Sequence, residues 1–306
     1  MKVAAMPSPF ILYFHAIVAV FYSKSGTSKT PLVVGKYILQ SKIIKHQDYD
    51  YYGVGVYIYR KQKVFIKTWT GNRKDMRYYG LVSQYIFAQI LEGVMKRQKK
   101  ITIHFPKVLA IVETQKQLSV IFEYIEGVNL KTFTVKKQSQ AIRTVINDLT
   151  SLSQDLTLAE KKYFQTRSIL FYSCLLPVFT GILLFTASRH RKDVIRAFLK
   201  CIHYFPEIWN AKLVLAHRDL YPENIIMDNG TIYLLDTENM ALTLPGYDYA
   251  YISASSVSVS LSHTLAKEMS QVSDFLKLFI SLHLAAASFS MPHVKEDHLM
   301  WLHEQL

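Results

Sequence analysis

The sequence predicts an α+β fold with two lobes: a small antiparallel sheet first, then a larger, mostly helical part. Three observations predict it. Val33 to Trp69 is dense in β-branched and aromatic residues broken by turn material, which is strand composition. From Met76 onward apolar residues recur mostly at helical spacing. Between the helical stretches, Leu213 to Leu242 (LVLAHRDLYPENIIMDNGTIYLLDTENMAL) reads as a short strand, a polar loop and a hairpin.

Length and composition agree with two lobes. The chain has 306 residues, half of them apolar, enough for a sizeable core and far from the composition of a disordered chain. Cys174 and Cys201 are the only cysteines; they offer neither a disulfide framework nor metal spacing, and point to a reducing compartment. The net charge of +13 is uneven: Met1–Leu130 holds 19 Lys+Arg against 7 Asp+Glu, and Lys131–Leu306 holds 17 against 16. Such a basic field suits polyphosphate or anionic lipid. Without zinc-finger spacing or an aromatic RNA-binding signature, no nucleic-acid partner is expected.

In chain order, residues 1–30 hold an apolar run, Phe10–Tyr22, and a polar linker, Ser23–Thr30. The run falls short of the about 20 residues a membrane span needs, so an interfacial anchor or a packed helix is expected. Tyr37–Ile44, Tyr51–Tyr59 and Val64–Trp69 are expected strands, with turns at 46–50 and 60–63. Met76–Lys96 is an expected helix, and residues 105–130 read as two strands followed by a connector that Gly127 frees to turn. Lys131–Tyr163 and Val194–Phe205 are expected helices, as is much of Tyr251–Leu306. His283, His293, His298 and His303 lack the i, i+4 spacing of a helical metal site and are expected to face solvent.

Ser168–Ala187 is 20 residues without a charge, flanked by Arg167 and by Arg189, Arg191 and Lys192. Pro177 and Gly181 near its middle invite a break. Three readings stand: a buried helical pair, a hairpin dipping into one leaflet, and a true span. A true span would separate Lys67 from Asp219 across a bilayer.

The loop HRDLYPENII carries His217, Asp219 and Asn224, and LLDTEN follows with Asp236 and Glu238. Carboxylate and amide oxygens on loops braced by apolar strands suit Mg²⁺ and phosphate. HRDLYPENII resembles the H-x-D-x-x-x-x-N catalytic loop of the protein-kinase-like superfamily. The D-T-E that follows resembles the aminoglycoside phosphotransferase and choline kinase branch more than the D-F-G of protein kinases. Tyr221 stands where protein kinases carry a lysine.

The resemblance implies a bilobal protein-kinase-like fold, with residues 31–126 as a nucleotide-binding lobe and 127–306 as a helical lobe containing the apolar segment 168–187. It implies ATP and Mg²⁺ as cofactors. Asp219 would be the catalytic carboxylate, and Asn224, Asp236 and Glu238 the metal ligands. Lys67, ending VFIKTW, resembles the lysine that grips the α- and β-phosphates. Glu123 and Ile125, in FEYIEGVNL, resemble a hinge that holds adenine by its backbone, with Phe122 behind. Gln84 falls where the helix glutamate that pairs with this lysine is expected; it could accept a hydrogen bond from Lys67, and Glu92 is the substitute carboxylate. No G-x-G-x-x-G is present: Gly53 and Gly55 sit within the second strand.

The function implied is ATP/Mg-dependent phosphorylation of a hydroxyl on a small-molecule, sugar or lipid-linked acceptor. A lipopolysaccharide-kinase-like enzyme is one form of this. The alternative is a membrane-associated pseudokinase serving as a nucleotide-binding or interaction module. The cytoplasm is the expected location, with the inner face of the membrane as the variant that the apolar segment raises.

Overall fold

The computed structural model describes residues 31, 33–42, 52–71, 76–98, 100–255, 259–288 and 292–306. The apolar run Phe10–Tyr22, the linker after it and the expected turn at 46–50 lie outside the described residues. In chain order the main elements are β1 (Val33–Val34), β2 (Tyr37–Lys42), β3 (Tyr52–Tyr59), β4 (Gln62–Thr70), α1 (Met76–Arg97), β5 (Val108–Glu113) and β6 (Gln117–Glu123). Then come α2 (Val135–Asp155), α3 (Ile169–Thr186), α4 (Arg191–Tyr204), β7 (Val214–Ala216), β8 (Ile225–Asp228), β9 (Thr231–Leu234) and β10 (Ala241–Thr243). Helices α5 (Tyr247–Ala254), α6 (Asp274–Ala287) and α7 (Pro292–Glu304) follow. The chain forms two compact units; the first comprises 1–128, 155–165 and 225–239, and the second 129–154, 166–224 and 240–306.

The first unit is built on a six-stranded antiparallel sheet in the order β1-β2-β3-β4-β6-β5. Side chains alternate along β4. Val64 and Ile66 join a buried cluster with Val34, Tyr57 and Ile121. Lys67 and Trp69 point the other way, where Tyr78 of α1 meets the Trp69 ring edge-on at 5.1 Å. Gly55 lets β2 approach: a Cβ there would lie 2.6 Å from Leu39 Cδ1 and 3.1 Å from the Ser41 carbonyl. The hairpin β8–β9 belongs to this unit, and β9 pairs in parallel with the short strand Ile103–His104.

Gly127 serves a different purpose from the turn expected of it. A Cβ at this position would stand 2.4 Å from Ile226 Cγ2 and 2.7 Å from the Met227 carbonyl oxygen. The requirement is close approach to β8, not a glycine-only backbone angle.

In the second unit β7 and β10 pair antiparallel, Leu215 opposite Leu242. The apolar segment forms one unbroken helix, α3, with Pro177 inside it, which corrects the helical pair and the hairpin. Proline removes one backbone bond of the helix and crowds the preceding turn. Packing outweighs that cost: Phe171, Tyr172, Leu175, Leu176, Phe179 and Leu183 are buried along one face. The Tyr172 ring lies 4.8 Å edge-on from Phe279 of α6, and its hydroxyl hydrogen-bonds Thr243. By length and composition α3 could cross a membrane, and 39% of it is buried within the protein.

Two of the histidines expected to face solvent do not do so freely: His298 is buried and His283 half-buried. His298 is buried because it lies on the inner face of α7, where Nδ1 bonds the Ala254 carbonyl at 2.8 Å. His283 packs against Phe179 with ring centroids 5.0 Å apart, and its Nδ1 is enclosed. Burial, with Arg167 and Arg218 next in weight, pulls the His283 pKa from 6.5 down to about 3. His303 is exposed as expected.

Two predictions follow from this packing. Gly127→Ala cannot be accommodated by a side-chain shift alone, since one obstacle is backbone; chemical denaturation should show a loss of about 1–3 kcal/mol. His283 stays neutral when folded and gains a proton on unfolding below about pH 6.5, so its contribution falls as pH drops from 6.5 towards 3. Between pH 7.5 and 5.5 the native chain should lose about 1.4 kcal/mol that His283→Phe does not lose. Paired melts at the two pH values measure it; parallel losses would refute the assignment.

Candidate active site

The first unit gathers four of the expected residues, Lys67, Gln84, Asp236 and Glu238, and two of them donate to one carboxylate. Lys67 sits in mid-sheet, opposite Val54 on β3 and Val120 on β6, so its stem is walled by apolar neighbours. It is 4% exposed. A buried ammonium needs an anion, and Nζ donates to Asp236 Oδ1 at 2.6 Å. Gln84 Nε2 donates to the same oxygen at 2.9 Å.

Glu238 is held in the same way, through Arg77 Nη1 at 3.1 Å. Arg77, Gly80 and Gln84 are spaced three and four apart, so they share one face of α1. At Gly80 the helix comes so close that an added Cβ would be 3.3 Å from Glu238 Oε2. One helix face therefore sets both acids: Gln84 touches the first and Arg77 the second. Asp236 itself has a φ of 57°, in the left-handed region, which turns the chain sharply after β9. Tyr52 lies beneath Arg77, its ring 5.2 Å from the guanidinium carbon. Burial, then Glu238 and Asp236, push the Tyr52 phenol well above its usual pKa.

This geometry revises two expectations. Gln84 reaches the site with its amide N–H donating to Asp236, rather than its oxygen accepting from Lys67. The lysine has taken Asp236 as its anion, and the amide adds a second donor to that oxygen. Glu92, the substitute carboxylate, faces away: it pairs with Lys96 at 2.9 Å on the surface. Eight residues of helix rise separate it from Gln84, about 12 Å.

In the stretch expected to be the hinge, Glu123 ends β6. Its N–H donates to the Lys107 carbonyl at 2.9 Å, and its carboxylate accepts from the Lys107 N–H at 2.8 Å. Ile125 follows in the irregular stretch 124–126, and Phe122 is buried against Phe65.

In the second unit the loop after β7 carries Asp219 and Asn224. Asn224 Nδ2 donates to the Asp219 carbonyl at 2.8 Å and lies 3.4 Å from its Oδ2. Tyr221 N–H also donates to the Asp219 carbonyl, at 3.1 Å. The loop is anchored by Asp248 of α5, a residue the sequence reading missed. Its carboxylate accepts from the backbone N–H of His217 at 2.9 Å and of Arg218 at 2.7 Å. Arg218 has a φ of 68°, a strained setting for a non-glycine residue, and the two bonds to Asp248 hold it there. Asp248 is 3% exposed; burial raises its pKa, and His217 with the two backbone bonds opposes the rise. His217 is fully buried. The sequence signal for Asp248 was a lone acid in the aromatic run GYDYAY.

The donor chemistry fits a hard divalent cation. Within the first unit Asp236 and Glu238 present carboxylate oxygens, and within the second Asn224 presents an amide oxygen; both are of the class Mg²⁺ prefers. Among the described residues no cluster of three or more His, Cys, Asp or Glu could hold a metal by itself. A cation would therefore complete its shell with phosphate and water oxygens, as Mg²⁺ characteristically does.

The Lys67–Asp236 pair has a mutational signature. Lys67→Ala leaves the Asp236 carboxylate enclosed without its cation and should cost about 3–5 kcal/mol in urea unfolding. Lys67→Met combined with Asp236→Leu should recover a large part of that loss. A single mutant as stable as the native chain would show that the pair does not carry the site.

Comparisons with known proteins give a consistent result for the fold. No protein-family model matches the sequence, and no curated protein does. Solved structures do. A thermostable aminoglycoside phosphotransferase APH(4)-Ia, in ternary complex with AMP-PNP and hygromycin B, is similar at TM-score 0.64 and 13% identity, over 88% of this chain and 92% of that one. The GDP complex of aminoglycoside 2′-phosphotransferase-IIIa is similar at TM-score 0.63 and 12% identity, over 96% of both chains. Spectinomycin phosphotransferase APH(9)-Ia, with ADP and spectinomycin, follows at TM-score 0.50 and 12% identity, over 99% of this chain and 90% of that one. The chain has the α+β, protein-kinase-like fold of the aminoglycoside phosphotransferases.

Proposed function

We propose that the protein is an ATP-dependent phosphotransferase acting on a hydroxyl group of a small-molecule acceptor. The observation that carries this reading is the convergence of Lys67 and Gln84 on one carboxylate oxygen of Asp236, in the fold of known phosphotransferases. A basic side chain from the sheet and an acid after the β8–β9 hairpin are the parts that phosphoryl transfer requires from this fold.

Lys67 orients the α- and β-phosphates and offsets their charge. Asp219 accepts a hydrogen bond from the acceptor hydroxyl and takes its proton late in a loose transition state. Asn224 and Asp236 would hold Mg²⁺, with Glu238 orienting Asp236 or sharing a second ion; when bound, the metal would supply further charge neutralisation at the phosphates. Gln84 keeps Asp236 in place through its amide N–H. The backbone of Glu123 and Ile125 receives the adenine edge. Relatives by fold that bind hygromycin B or spectinomycin support a polyhydroxylated acceptor. The acidic acceptor site that a cationic antibiotic would need is not evident in the near-neutral charge of residues 131–306, so a neutral or anionic sugar, free or lipid-linked, is the acceptor we favour.

A second reading, a nucleotide-binding module without turnover, draws on Gln84, which leaves Lys67 without the usual helix glutamate. One experiment separates the two. Asp219→Asn should lower ATP-dependent phosphorylation by about 10²–10⁴-fold while thermal-shift titration with MgATP stays as in the native chain. ADP release would be followed over a panel of sugars and aminoglycosides. A native chain that binds MgATP yet phosphorylates none of the panel favours the module; full activity in Asp219→Asn refutes the catalytic assignment.

A further inference from the structure

The second unit carries an exposed apolar face that the phosphotransferase reading does not use. Helix α3 buries one side and leaves the other bare. Leu170, Cys174, Val178 and Phe185 recur at helical spacing along it, all exposed, with Phe185 88% exposed. On α4 a second exposed row, Ile195, Leu199 and Ile202, recurs at i, i+4, i+7. Besides these rows, a groove of about 460 Å³ is lined by Pro177 of α3, by Phe198 and Ile202 of α4, and by Phe205 and Trp209 just after it. Trp209 is 65% exposed. Single exposed apolar residues are ordinary; two exposed rows on packed neighbouring helices, with an apolar groove nearby, are an interaction surface.

The charges around this face select its occupant. Arg189, Arg191, Lys192 and Arg196, all exposed, stand at the turn between the two helices and on the first turns of α4. Of the acids nearby, Asp193 pairs with His303 at 3.3 Å and Glu296 with His190 at 2.8 Å, which leaves exposed Glu207 against the four cations. A second copy of the chain would bring this face the same excess of cations. An anionic bilayer supplies both requirements, acyl chains for the apolar rows and headgroup phosphates for the cations. A tryptophan at the edge is the residue that settles at such an interface.

We infer that the α3–α4 face is a docking surface for an anionic membrane, on which the protein lies without being spanned by it. This stands independently of the phosphotransferase reading, and the test is chosen to keep the two apart. The full chain would be sedimented with vesicles of phosphatidylcholine alone and of phosphatidylcholine mixed with phosphatidylglycerol. Binding is expected to the mixed vesicles and to weaken as salt is raised. The double variants Phe185→Asp/Leu199→Asp and Lys192→Glu/Arg196→Glu should each bind the mixed vesicles about tenfold or more weakly. Both should keep the native circular dichroism and the native MgATP thermal shift. If the aspartate pair impairs folding, the charge-reversal pair, which alters only exposed side chains, still decides the question. Undiminished binding in the variants would place lipid contact elsewhere in the chain and overturn the proposal. So would absence of binding to the mixed vesicles, or a self-associated native chain that Phe185→Asp/Leu199→Asp renders monomeric without any vesicle binding in the native form.

Discussion

A lysine ammonium enclosed in a sheet is tolerable only with a negative partner at contact distance, and Asp236 is that partner for Lys67. Much of the first unit answers to this constraint. The sheet supplies a rigid, apolar sleeve for the lysine stem, and the β8–β9 hairpin delivers the aspartate in a left-handed turn. Helix α1 adds a second donor to the same oxygen through Gln84. With Gln84 neutral, one cation faces one anion, and the trio carries no net charge. A glutamate in its place would put a second carboxylate against Asp236, a repulsive contact unless another cation stood by.

The second unit solves a related problem with backbone donors. The loop bearing Asp219 must hold Arg218 in an unfavourable conformation, and a buried aspartate on α5 fixes it through two N–H bonds. Asp248 is thus a positioning residue: its two oxygens are turned to His217 and Arg218 N–H groups. The loop's own bonds, from Asn224 and Tyr221 to the Asp219 carbonyl, complete the brace.

Strands and long helices were legible because their composition and periodicity are local properties. The spans of β3, β4 and α1 fall within two residues of expectation, and so does the extent of α3. What went astray was decided by partners distant in sequence. The break expected at Pro177 is overridden by aromatic side chains from α6, which no local pattern reveals. The orientation of the Gln84 amide depends on a carboxylate 152 residues away. His298 is inside because α7 packs that face against Ala254. Gly127 was recognised as necessary, but the reason, a near collision with β8, exists only once β8 is folded against it. Lys67, Asp219, Asn224 and Asp236 were readable as a motif; Asp248 and Arg77 were not, because neither belongs to the motif that marked the others.

Arg77, Gly80 and Gln84 give α1 a mechanical property that none of them has alone. Both acids after β9 are gripped by one face of one helix, with almost no clearance at Gly80. Because the three share one rigid helix face, a displacement of α1 that broke the Gln84–Asp236 bond would also draw Arg77 from Glu238, while Lys67 would still hold Asp236 from the sheet. The two carboxylates thus share a clamp on the helix side, and only the first has a second anchor in the sheet.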